Sequence, residues 1–271
     1  MSVTRNRYRL GWRRASPRID HERGNRVLRR GLRLGRVFGV PVRLDLSWFA
    51  GLAVFVALSY DVWAPVTGFG AVALSVLFTC AFFASVLAHE LAHALVARSL
   101  GVATMEISLL VFGGVARIVS EPTDAGGEAL MAMAGPLTSV GLAGVLWLAS
   151  QLVTGWPGDL IELLGLANLV LAAFNLLPGF PLDGGRVARA VVWRITGRRL
   201  FATRLTAWFG RSLALLLVAG GGVAVVVLYS PRYLLNVALG PFLWHAASQG
   251  ERTARQAERY RGDDLTARPK A

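Results

Sequence analysis

His89-Glu90-Leu91-Ala92-His93 sets two imidazoles four residues apart with a carboxylate between them. On a helix, positions i and i+4 share a face, so both rings project toward one point and can hold one metal ion, while Glu90 stands where it can take a proton from water. The chain has only four histidines, and two of them fall at this spacing. No charged residue occurs from Ala71 to Ala88, immediately before the motif. Ionisable groups closing such an apolar run are expensive to desolvate, and their presence there points to function.

A hydrolytic site of this kind takes a third protein ligand and leaves one position open for water. The segment Asn175-Leu176-Leu177-Pro178-Gly179-Phe180-Pro181-Leu182-Asp183-Gly184-Gly185 closes another apolar run. Pro178, Gly179 and Pro181 must break the helix there. Unwound backbone at membrane depth is tolerated only where it lines a protein-enclosed or watery cavity. Asp183 is therefore the leading candidate for the third ligand. His21, His245, Glu106, Glu121, Asp124 and Glu128 stay open as alternatives in less distinctive settings, whereas Asp61, Asp159 and Glu162 fall at the opposite ends of the apolar runs. Asn175, one helical step before the break, is a candidate to hydrogen-bond a substrate backbone or an oxyanion, or equally to pack against a neighbouring helix.

The elements that must position these residues are apolar. Of 271 residues, 54% are hydrophobic and 17% charged, with mean hydropathy +0.51, so the apolar content exceeds the roughly 45–50% of a soluble domain. The reading is an all-α polytopic membrane protein with about six spans, near residues 46–63, 71–98, 129–152, 160–177, 205–228 and 233–244. A short β-hairpin over Thr104 to Val119 is expected at the cytoplasmic membrane boundary. Glu106 and Ser108 alternate there with Met105, Ile107 and Leu109, and Gly113-Gly114 supplies the turn. Residues 1–36 read as a basic tail without apolar periodicity, 37–247 as the membrane core, and 248–271 as a charged tail.

The formal charge of +13 is concentrated at one end, where thirteen arginines between Arg5 and Arg43 meet only Asp20 and Glu22. No nucleic-acid-binding motif accompanies them, so nucleic acid is not expected as a partner and the lipid bilayer is. Basic residues stay on the cytoplasmic side of a span. The loops 61–70 and 151–159 contain no Arg or Lys, whereas Arg186, Arg189, Arg194, Arg198, Arg199 and Arg204 share one connection. Both termini are thereby placed in the cytoplasm of a multi-pass protein of the cell membrane, and the two metal-binding segments at the same face. Cys80 is the only cysteine, which excludes a disulfide framework and a thiolate metal cluster.

The two segments together resemble the site-2 protease family of intramembrane zinc metalloproteases, which combines H-E-x-x-H on one span with N-x-x-P-x-x-P-L-D-G on another. Both motifs stand here without substitution, and the resemblance covers roughly Val37 to Trp244. It implies one Zn2+ held by His89, His93 and Asp183, with Glu90 as general base. It also implies peptide-bond hydrolysis in single-pass transmembrane proteins or remnant signal peptides. Relatives of this compact plan often carry nucleotide-sensing CBS domains after the last span. The residues after Trp244 are too few for one, and no PDZ insertion fits between Val119 and Ala129. Gly135, Ser139 and Ala143 recur at four-residue spacing and mark a close helix contact, to which no catalytic part is assigned. A membrane metal or ion transporter, the rival reading, calls for ionisable groups on several spans at mid-membrane, and these are scarce. A catalytically idle scaffold does not require the full ligand set with Glu90.

Overall fold

The computed structural model describes residues 31–63, 69–102, 104–111, 113–118, 122–229 and 233–266. The basic stretch up to residue 30, His21 within it, Glu121 and Arg232 lie outside the described residues. In chain order the elements are β1 (Gly31–Val37), β2 (Val40–Asp45), α1 (Leu46–Tyr60), α2 (Phe69–Ser99), β3 (Thr104–Leu110), β4 (Gly113–Ile118), α3 (Ala125–Ser150), α4 (Trp156–Asn175), α5 (Asp183–Thr196), α6 (Arg199–Leu228) and α7 (Leu234–Thr266).

The four helices α2, α3, α4 and α6 are long and apolar enough to cross a bilayer. α1 is apolar but spans only 15 residues, and α7 runs from its apolar start into the charged residues beyond Gln249. The span count of six thus rests on these two shorter apolar stretches in addition to the four. The long helices turn apolar side chains outward, among them Leu148, Leu166, Val170, Leu216 and Val226, which fits a lipid surround. Asp45 caps α1 by accepting from the Ser47 amide at 2.9 Å, and Asp124 caps α3 by accepting from Gly127 at 2.9 Å. Each carboxylate satisfies an amide that would otherwise lack a partner at a helix start.

The boundary β-structure is larger than a hairpin. Four strands form one sheet in the order β1-β2-β3-β4, antiparallel at both ends and parallel between β2 and β3. Residues 31–36, read from the sequence as tail, belong to β1, which pairs with β2 through the two-residue turn Phe38-Gly39, both at positive φ. Such a turn matches the twist of paired strands. Arginine alternating with leucine hid β1, whose Leu32 and Leu34 are both exposed. Within β3, Met105 is exposed while Ser108 is buried, against the simple alternation. The register shifts between Thr104 and Glu106, and this bulge turns Met105 outward.

The buried face of the sheet lies on the part of α2 that bears H-E-x-x-H. Val40 and Ile107 pack with Leu91 and Ala94, and Leu44 and Leu109 pack with Val86. α5 is a separate amphipathic helix that the sequence reading did not isolate. It buries Asp183, Arg189 and Ala190 and exposes Val191 and Ile195. Ile107 is fully buried against the motif helix, so Ile107→Ala is expected to lower stability by about 2–5 kcal/mol. Unfolding of the detergent-solubilised protein checks this.

Candidate metal centre

α2 continues without a break through residues 89–93, so His89 and His93 sit one turn apart with their ring centroids separated by 4.9 Å. Asp183 is delivered by the helix break. α4 stops at Asn175, and residues 176–182 turn back, with the Phe180 amide donating to the Thr206 carbonyl of α6 at 3.0 Å. Asp183 then opens α5, whose Gly184 and Gly185 rest directly on the backbone of residues 176–180.

The three side chains meet at one atom. Nε2 of His89 and Nε2 of His93 each lie 3.1 Å from Oδ2 of Asp183, and all three residues are buried. The far sides of the rings are also engaged. Nδ1 of His93 donates to the Met131 carbonyl at 2.7 Å, and Nδ1 of His89 lies 3.0 Å from the Ser139 hydroxyl oxygen. A carbonyl can only accept, so the proton of neutral His93 is on Nδ1 and its Nε2 lone pair faces inward. With His89 in the same tautomer, three electron-rich atoms converge on one buried point. That arrangement calls for a cation, and two imidazole nitrogens with one carboxylate oxygen are the donor set of a catalytic zinc site with an open position. The outer bonds to Met131 and Ser139 are the kind that orient metal-binding histidines.

α3 crosses directly behind this point. A Cβ on Gly135 would collide with Nε2 of both histidines, so only glycine lets the helix approach so closely. Glu90, between the two histidines, faces the sheet: a Cβ on Gly114 of β4 would run into its Cγ and Cδ. β4 is an edge strand, paired with β3 alone among the described strands.

Of the candidate ligands, His89, His93 and Asp183 form the single group of this kind among the described residues. The other candidates among the described residues are engaged elsewhere. Glu106 pairs with Arg43 at 3.6 Å, Asp124 caps α3, Glu128 pairs with Arg189 at 2.5 Å, and His245 bonds Gln249 at 2.6 Å. Asn175 donates from Nδ2 to the Leu171 carbonyl of its own helix at 3.0 Å. Gly135, Ser139 and Gly114 were missed as parts of the site. The repeat at Gly135, Ser139 and Ala143 marked a close contact correctly, with all three buried, but periodicity could not say that two imidazoles lie beneath it.

Residues 77–156 and 154–219 match peptidase family M50. The solved structure of a site-2 protease from Methanocaldococcus jannaschii superposes with a TM-score of 0.61 at 31% identity, covering 82% of this chain and 95% of that one. This chain belongs to peptidase family M50. The zinc metalloprotease MJ0392 of Methanocaldococcus jannaschii is 35% identical over 225 residues, which is 82% of this M50 chain and 60% of that protein. Rip3 of Mycobacterium tuberculosis is 34% identical over 255 residues, 89% of this chain and 65% of its own length. The chain thus spans somewhat under two thirds of these relatives.

Two substitutions on α3 probe the centre without replacing any of the three converging side chains. Gly135→Ala is expected to leave the purified protein without stoichiometric zinc, and Ser139→Ala to weaken zinc binding by about tenfold or more. Metal analysis after chelator competition reads both.

Proposed function

We propose that this M50 chain is an intramembrane zinc metalloendopeptidase that cuts a peptide bond within or near the transmembrane segment of a membrane protein. The observation that carries the reading is the convergence of two Nε2 atoms and Asp183 Oδ2, with Glu90 alongside on the same helix. His89, His93 and Asp183 would hold the ion. Bound there, Zn2+ supplies Lewis acidity toward a scissile carbonyl and makes a water easier to deprotonate near neutral pH.

The chain's own residues do the rest. The Glu90 carboxylate accepts a proton from the attacking water and returns it to the leaving amine nitrogen. The Met131 carbonyl and the Ser139 hydroxyl engage the outer ring nitrogens and fix the imidazoles in rotation. The free edge of β4 offers backbone donors and acceptors beside Glu90, and an extended peptide could add there as a further strand. Such addition favours a substrate whose helix has unwound, because a helical peptide has no free backbone groups to offer. Asn175 is a secondary candidate for holding substrate backbone, in which role its Nδ2 gives up the Leu171 carbonyl.

The substrates proposed are single-pass transmembrane proteins or remnant signal peptides. In the proposed topology α1, α2, α3, α4, α6 and the start of α7 make six spans, with both termini cytoplasmic and the metal site near the cytoplasmic face. The distribution of arginine supports this, since residues 151–159 carry none and the stretch from 186 to 204 carries six.

Glu90→Gln is expected to abolish cleavage while zinc and fold persist, and Asp183→Ala to purify without stoichiometric zinc, retaining only weak binding by the two histidines. Comparative membrane proteomics of wild type and Glu90→Gln should find a transmembrane fragment accumulating uncut in the variant. Identical fragment patterns in the two would sink the protease reading. A cysteine at Gly155 should label with an impermeant maleimide from outside the cell and one at Gly197 should not, both in a Cys80→Ser background.

A further inference from the structure

One helical face of α3 carries Glu128, Met131, Gly135 and Ser139, spaced by three, four and four residues. Three of them serve the histidines, through the Met131 carbonyl, the bare backbone at Gly135 and the Ser139 hydroxyl. The fourth reaches the other helix of the centre. Glu128 is 0% exposed and its Oε1 accepts from Nε of Arg189 at 2.5 Å, while Arg189, 4% exposed, lies six residues beyond Asp183 on α5. The Arg189 guanidinium also sits 5.8 Å over the ring of Phe180, within the segment that turns the chain toward Asp183.

We infer that the buried Glu128–Arg189 ion pair is the positioning device for the third metal ligand, fixing α5 against α3 so that Asp183 meets the two imidazoles. This rests on the metal-site reading above. The start of α5 has no side-chain cap of its own, and Gly184 and Gly185 seat it on the backbone of residues 176–180, so its placement against α3 needs a further constraint. A contact less than two turns further on, made by a rigid guanidinium to a carboxylate on the helix that already orients both histidines, supplies that constraint. A wholly buried ion pair adds little net stability over a well-packed apolar pair, because desolvating both charges offsets their attraction. What it does supply is geometry: the two groups must meet, since the fully buried Glu128 carboxylate without Arg189 would be an uncompensated buried charge. α3 thereby gauges all three ligands, two directly and one through Arg189.

The test is a double-mutant cycle read as zinc affinity, with the Co2+-substituted absorption spectrum as a second readout. Glu128→Gln, in the full chain in detergent, is expected to weaken zinc binding by about ten- to a hundredfold. Its Co2+ spectrum should move toward that of Asp183→Ala, with the folded fraction retained. In the Asp183→Ala background, Glu128→Gln should change the remaining affinity by less than about twofold, because the residue it acts through is gone. Full additivity of the two changes would overturn the proposal, as would wild-type affinity in Glu128→Gln. Should Glu128→Gln fail to fold, the neutral pair Glu128→Gln with Arg189→Met carries the same expectation, and wild-type zinc affinity in it has the same overturning force. If Asp183→Ala itself leaves zinc affinity unchanged, the fault lies in the metal-site reading, and the positioning role falls with it.

Discussion

Two imidazole Nε2 atoms each lie 3.1 Å from the same buried carboxylate oxygen, and with the ring protons on Nδ1 the three atoms do not stay together by mutual attraction. In a low-dielectric interior their repulsion is weakly screened. Either a cation neutralises them or the surrounding structure must hold them against it. Much of the architecture serves the second purpose and holds the three side chains together. The sheet clamps α2 from one side through Ile107 and Leu109, α3 closes from the other at Gly135, and residues 176–182 swing α5 into the gap.

The helix break shows how local chemistry is put to that use. Pro178 has no N–H to continue the helix ladder, so α4 ends at Asn175, and the turn that results is docked on α6 by the Phe180 amide. Freed backbone groups find partners inside the protein, which makes an interrupted helix tolerable at this depth. Asp183 is thus displayed at the start of a short helix whose apolar residues Val191 and Ile195, 78% exposed in the latter case, face outward while Asp183 and Arg189 face in. This inversion of the usual amphipathic pattern is reasonable in a chain whose surroundings are partly lipid.

Legibility from sequence followed the range of the signal. His89, Glu90 and His93 are set by helical spacing alone, and Asp183 by a proline-rich break at the matching end of a span, so both segments could be read without coordinates. The hairpin from residue 104 was likewise visible, but Gly113 and Gly114, read as its turn, pair with Leu110 and Leu109 inside β4, and Ser108 is buried against the expected alternation. Features that depend on packing between distant segments were not. The strand at Gly31–Val37 was masked by arginine, α5 was taken as part of a basic loop, and Glu128 was weighed as a free carboxylate when it is committed to Arg189. Ser139 and Gly135 were read as helix contact because small residues at that spacing usually mean nothing more. What lay against them depended on the crossing of α3 and α2.

The parallel pairing of β2 with β3 has a bearing on how the protein is made. Parallel neighbours need a long crossover, and here the crossover is the whole α1–α2 hairpin, so residues 42–44 cannot join residues 107–109 until that hairpin has been laid down. His89 and Asp183 are themselves 94 residues apart. During synthesis the motif helix therefore emerges well before its carboxylate partner, and the ligand set is completed only after two further helices, α3 and α4, have been made. A nascent chain halted before Asp183 carries the histidines without the third member of their set.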